Sequence, residues 1–213
     1  MSEARSGAAA YDRLREAIVR VELAPGAPMS EAQLVERFGF TKAAVRAALA
    51  RLRAEGLVLA EPRRGHVVAP LTMRDVLEIY DVRLALEPSA AEAAAGAMPA
   101  AEVTRLRKLA RTGADVLAAN REIHLAIVSA AGNQRATAIV ERLLDDSERA
   151  RILALRAGAA EGGDRARTEL QSVLAAIGDG DGTRARALMA EAIAVFRDEL
   201  VERLQQATLD RPL

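Results

Sequence analysis

Residues 30–65 read SEAQLVERFGFTKAAVRAALARLRAEGLVLAEPRRG, and this stretch decides the fold. Ser30 is placed to cap a helix, because its hydroxyl can accept from a free backbone N–H of the first turn. Gln33, three residues on, can reach back and complete a capping box, and Met29 and Leu34 fall at the staple positions. Leu34, Val35 and Phe38 make an apolar stripe at helical spacing, which Gly39 ends with a left-handed backbone. Thr41 can cap a second helix, whose Val45, Ala48, Leu49 and Leu52 follow the i, i+3, i+4, i+7 pattern and face inward. Two short helices joined by a turn that contains Gly form a helix-turn-helix.

The other face of the second helix is polar. Lys42 and Arg46 lie four residues apart, hence roughly 40° apart around the axis. Both fall in the early turns, the part of this motif that enters the major groove. Gly56 closes the helix, and residues 57–60 (LVLA) and 66–69 (HVVA) can pair as strands around a tip of sequence EPRRG. That tip sets Arg63 and Arg64 beside Gly65, where backbone can approach a phosphate or a minor groove. From Lys42 to Arg64 there are six basic residues against two acidic ones, whereas the whole chain balances Lys+Arg 30 against Asp+Glu 30. A neutral protein with one basic motif suggests a sited nucleic-acid contact. Charge on a helix is more often a solvated face, and Arg51 and Arg53 fit that blander reading.

This run, from PGAPMSEAQ through PRRGHVVAPL, resembles the DNA-binding domain of the GntR family of bacterial transcription regulators. The positions that carry the likeness are Ser30, Glu31, Leu34, Gly39, Val45, Arg46, Ala48, Leu49, Leu52, Gly56, Leu57 and Gly65. Departures cluster where DNA is read: Thr41 and Lys42 stand for the usual Ser-Arg, Ala43 and Ala44 for a polar residue and proline, and Ala47 for glutamate. Lys lacks the forked contact that Arg makes to guanine, so a different operator or a weaker grip is implied. The predicted DNA-contacting set is Ser30, Thr41, Lys42, Ala43, Arg46, Arg63, Arg64, Gly65 and His66. A lone helix-turn-helix has few base contacts, so a homodimer on a palindromic double-stranded operator is expected.

Hydrophobic residues make up 51% of the chain but aromatics only 2%, so Ala and Leu must do the packing, which points to helices. There is no Cys, which removes disulfides and thiolate metal sites. No apolar run approaches the ~20 residues that span a bilayer. The opening MSEARSGAAAYDR carries no apolar signal segment, and a cytoplasmic location without membrane contact is expected. Residues 1–9 read as a disordered arm and 209–213 as a tail. Leu14, Ile18 and Val21 mark a helix from Tyr11 to Val21 that completes the winged unit, residues 10–70.

From residue 71 to 208 no strand pattern occurs. Six helices are predicted at 73–96, 100–112, 115–131, 134–156, 163–178 and 182–206, with breakers between them and Pro88 kinking the first. Short loops favour an antiparallel bundle. The fold class is thus mostly α, a winged helix-turn-helix followed by an all-helical bundle. Residues 76–96, 120–134 and 175–193, in that order, resemble the FCD effector domain of the FadR-like branch of the GntR family, in its six-helix, VanR-type form. The resemblance implies a divalent metal held by an Asp and three His. Those positions carry Asn120, His124, Leu170 and Ala192, which is too few donors, so the metal is predicted lost and no cofactor is expected. The resemblance also implies a small carboxylate effector. Arg83, Glu87, Asn120, His124 and Arg149 are the candidate contacts, with Arg142 an outsider.

Each has an alternative. Arg83 and Glu87, at i and i+4, can form a buried salt bridge, and His124 can be a core histidine. Ile193, Phe196, Leu200, Val201 and Leu204 on the last helix can be core or a subunit contact. Three functions follow: a homodimeric regulator, expected to be a repressor; a regulator whose effector domain has degenerated; or a helical-bundle enzyme. The last needs Glu-x-x-His pairs, and the chain has none.

Overall fold

The computed structural model describes residues 2–61, 65–113, 115–156 and 163–209, without the side chains of 2–6, 163–164 and 207–209. The chain divides into two compact units, Met1–Thr72 and Met73–Leu213. In the first, α1 (Ser2–Val19) is followed by β1 (Pro28–Met29), α2 (Glu31–Phe38), α3 (Lys42–Ala54), β2 (Val58–Glu61) and β3 (Gly65–Val68). Ser30 and Gln33 form the full capping box at α2, and Thr41 caps α3 by accepting from Ala44 N–H at 3.2 Å. Gly39 follows α2 in the left-handed region at φ 73°. The inward stripe of α3, with Val45, Ala48, Leu49 and Leu52, is buried against Leu14 and Ile18 of α1.

Three expectations need correction here. Residues 2–9 are helical rather than a disordered arm, because the good helix formers Glu3, Ala4, Arg5 and Ala8–Ala10 extend α1 backwards. Ala10, near that junction, is fully buried, which ties the extension to the core. The same helix stops at Val19 instead of Val21, since Val21 takes φ 59°, a left-handed value unusual for a β-branched residue. The sheet has three strands in the order β1-β3-β2, not two. Pro28 pairs with Val67 and Met29 with His66, and a proline is tolerated because β1 is an edge strand.

The second unit contains α4 (Met73–Ala97), α5 (Ala100–Thr112), α6 (Val116–Ala130), α7 (Gln134–Arg156), α8 (Gly163–Gly178) and α9 (Gly182–Leu209) among its described residues. The last of these runs past the expected end at 206, to the first residue assigned to the tail. Pro88 lies inside α4, which continues through it. α4 packs along α9 and against α6 and α7, while α8 packs on α5 and α9. Gly182 lets the start of α9 approach α4: a Cβ there would stand 2.9 Å from the Glu92 carbonyl oxygen. Among the described residues, no helix is long and apolar enough to cross a membrane.

Candidate functional site

α3 has one buried and one open side. Ala44, Val45, Ala48 and Leu49 are buried, whereas Thr41, Lys42, Ala43, Arg46 and Ala47 are exposed. The apolar stripe that fixes α3 on α1 therefore turns the polar early turns outward. Glu31 of α2 reaches this face. Its two carboxylate oxygens accept from Arg46 Nε at 3.0 Å and Nη2 at 2.9 Å. The hydrogen bond from Arg46, with Lys42 and His66 also nearby, holds the Glu31 carboxyl below its usual range. Ser30 and Thr41 are exposed, but their hydroxyls cap α2 and α3. Gly65 takes φ 78° where the hairpin turns, and His66 on β3 is half-buried, with Nδ1 buried and lacking a hydrogen-bond partner. Arg63 and Arg64 lie outside the described residues. Arg51 is held elsewhere, bonded to Glu55 at 3.1 Å and stacked 3.6 Å over the Tyr11 ring.

The second unit has a partly open cavity of about 40 Å³, with Arg83, Asn120 and His124 in its wall. Arg83 is 3% exposed and donates to Glu87 Oε1 at 2.5 Å and Ser147 Oγ at 3.2 Å. Glu87, fully buried, also meets His124 Nδ1 at 2.5 Å. Burial alone would raise the Glu87 carboxyl, but Arg83, followed by His124, overcomes that and holds it at about 2. The salt-bridge reading of Arg83 and Glu87 is therefore the structural one, and Glu87 sits behind the cavity wall. Arg149 needs correction as a pocket residue. It is 2% exposed, bonds to Asp146 at 2.7 Å and does not line the cavity. Ser147, Glu148 and Arg151 present the cavity face of α7, and Arg149 is about 200° around the axis from Ser147. Arg142 is exposed.

A capped helix-turn-helix followed by an all-helical unit is also the order in which two family models match this chain. Residues 7–68 match the bacterial regulatory proteins of the gntR family, and residues 78–195 match the FCD domain. The chain belongs to the GntR family. It is 29% identical over 153 residues to the uncharacterized HTH-type regulator YdhC of Bacillus subtilis, covering 67% of this chain and 68% of that one. It is 33% identical over 98 residues to the transcriptional repressor RspR of Escherichia coli, covering 46% and 43%. Among solved structures, E. coli McbR/YncC shares the fold with a TM-score of 0.81 at 22% identity, covering 93% and 98%. A GntR family member of Pseudomonas syringae gives 0.55 at 22% identity, covering 96% and 88%. This GntR chain is a DNA-binding transcription regulator.

In this GntR protein, Asn120, His124, Leu170 and Ala192, the four positions that the resemblance assigns to metal ligands, all line the one cavity. Their chemistry does not fit a divalent ion: two are hydrocarbon, one is a neutral amide, and only His124 is a customary ligand. Among the described residues, no group of three His, Asp or Glu side chains could hold a metal either.

Two residues escaped the sequence reading. Glu31 bonds to a residue 15 positions away, outside any helical spacing rule. Tyr80 lines the cavity at 1% exposure, and a lone Tyr in a helical stripe gives no sign of whether its hydroxyl finds a partner.

Proposed function

We propose that this protein is a homodimeric repressor, working in the cytoplasm, that binds a palindromic operator and responds to a small molecule in the helical cavity. The observation that carries the reading is the exposed face of α3, with Lys42, Ala43 and Arg46 turned out while the opposite face is buried. Repression is supported by relatives named as repressors, RspR and the gluconate operon repressor of B. subtilis, the latter 38% identical over 87 residues. A two-fold dimer is supported by the few base-reaching side chains that one such unit offers. The resemblance implies a carboxylate as effector, met by Arg83 or His124, though both already share the Glu87 carboxylate. α4 follows the wing after only residues 69–72, so occupancy that displaces α4 would shift the spacing of the two heads. A second reading, a helical unit that senses nothing, is favoured by the hydrocarbon side chains at Leu170 and Ala192.

The test is a gel shift against DNA flanking the protein's own coding region, repeated with Arg46→Ala. Loss of roughly 1–3 kcal/mol is expected if Arg46 reads a base edge. Equal binding of the variant, or equal binding to unrelated DNA, would refute the assignment of α3. Release by a saturating ligand separates the two readings of the helical unit.

A further inference from the structure

Resting on the reading of this cavity as the effector site, we propose that it binds a small uncharged, hydroxyl-bearing molecule directly on Tyr80, Asn120 and His124, with no metal ion between. Three polar groups reach this wall without being used. Tyr80 Oη is buried near Arg83 and Ser147, yet reaches hydrogen-bond geometry with no protein group. The Ser147 hydroxyl beside it accepts from Arg83 at 3.2 Å and donates to Leu143 O at 2.7 Å, so it has no proton to give Tyr80. The side-chain amide of Asn120 has no partner among the described residues, and neither has Nε2 of His124, whose contacts all run through Nδ1. Leaving a buried donor or acceptor unmet is costly, so Tyr80 Oη, with the open Asn120 amide and His124 Nε2 beside it, favours a polar occupant.

The hydrogens say which kind. A carboxylate only accepts, so the hydrogen in the 2.5 Å contact between Glu87 and His124 sits on Nδ1. Nε2 is then the ring atom left to meet the occupant, and a hydroxyl suits it because it can donate or accept. Tyr80 and Asn120 can each donate or accept in return.

Charge separates an alcohol from an acid. The metal ion that the resemblance implies would bring positive charge for a carboxylate, and the residues at its positions do not fit one. Glu87 holds Arg83, and Asp145 and Glu141 hold Arg121; Arg151 lies over the Phe196 ring, and Glu148 and Glu169 add carboxylates, the latter also paired with Arg165. Carboxylates thus stand among the guanidiniums of this wall and oppose the entry of an anion. Leu170, Ala192, Ile193 and Phe196 supply an apolar wall for a short carbon chain. The cavity of about 40 Å³ has room for about three waters, hence for a molecule as small as a two- or three-carbon diol.

The chain has only two histidines, so ring signals of His124 and His66 are easily told apart by NMR on full-length protein. Ethane-1,2-diol and propane-1,2-diol would be titrated against their matched anions, glycolate and lactate, with and without EDTA. Expected is a saturable shift of the His124 ring by the diols, unchanged by EDTA, with the His66 signal still. Tyr80→Phe and Asn120→Leu should each weaken it about fivefold or more. A stronger response to the anions would overturn the charge argument, and loss of the response in EDTA would overturn the absence of metal. No saturable response to any of the four would overturn the site itself. Because this readout needs no DNA, its failure is distinct from failure of the operator gel shift.

Discussion

Glu31 and Arg46 are joined edge to edge, with Nε and Nη2 of the guanidinium donating to the two carboxylate oxygens at 3.0 and 2.9 Å. Arg46 remains 64% exposed, so this pair adds little to stability. Its effect is on geometry. One fork of the guanidinium is occupied, which leaves Nη1 and the outer Nη2 hydrogen as the edge that Arg46 would present in the proposed DNA complex. That outer fork is the one that matches guanine O6 and N7. A carboxylate at this place also repels phosphates, so it penalises binding that lacks a base contact.

Glu31→Gln should therefore lower the ratio of operator to random-DNA affinity by up to about tenfold, in line with the ~1–3 kcal/mol of one bidentate base contact. Affinity for random DNA should rise, because a negative charge is lost from the interface. Competition gel shifts with specific and random duplexes measure both. A uniform loss on both duplexes would show instead that Glu31 only supports the fold.

Glu87 predicts an acid sensitivity of the helical unit. Its carboxyl titrates at about 2 when folded, against 4.5 ordinarily. A carboxyl with a depressed folded value binds more protons when unfolded. Its contribution is thus fully present above pH 4.5 and is lost as pH falls toward about 2. Calorimetry across this window should show the helical unit weakening. Glu87→Gln should cost roughly 3–5 kcal/mol at pH 7, because Arg83 is left buried without its counter-charge. The variant should also lose much of the slope between pH 4.5 and 2. An unchanged slope would place the acid sensitivity in other carboxylates.

Legibility followed distance along the chain. The capping box at Ser30, the stripe of α3 and the i, i+4 pair Arg83–Glu87 all lie within a few residues of themselves, where helical geometry alone decides who can meet. The six helices of the second unit were marked by their Gly and Pro breakers. What stayed hidden needed tertiary placement: Glu31 on Arg46, His124 on Glu87 across 37 residues, and Arg149 turned away from the cavity. β1, two residues long and starting with Pro28, has too little pattern to be read. The gathering of Asn120, His124, Leu170 and Ala192 around one cavity came from the family likeness, since nothing in their own spacing links α6, α8 and α9.

Gly182 marks where α9 meets α4. In the sequence it closes a run of helix breakers, GDGDG at 178–182, but its role is close approach. A methyl group there would meet the Glu92 carbonyl oxygen at 2.9 Å and Glu92 Cγ at 3.2 Å. The nearer obstacle is backbone, so a helix must move. Gly182→Ala should cost about 1–3 kcal/mol, the usual range for overpacking. A thermal melt followed by circular dichroism would show it, and an unchanged midpoint would mean that α9 yields freely at its start.

The chain has two tyrosines, one in each unit, and their hydroxyls differ. Tyr11 Oη donates to Glu55 at 2.7 Å, and burial together with that bond pushes its phenol up to about 12. Tyr80 Oη is buried without a partner, and burial raises its phenol as well. Tyr11→Phe should therefore destabilise the winged unit by about 1 kcal/mol, more if the carboxylate resists losing its donor. Tyr80→Phe removes a hydroxyl that no protein group satisfies, so in ligand-free protein it should leave the helical unit as stable as before, or slightly more so. Differential scanning calorimetry of both variants gives the comparison. A loss at Tyr80 equal to that at Tyr11 would mean that an ordered water already satisfies the buried phenol.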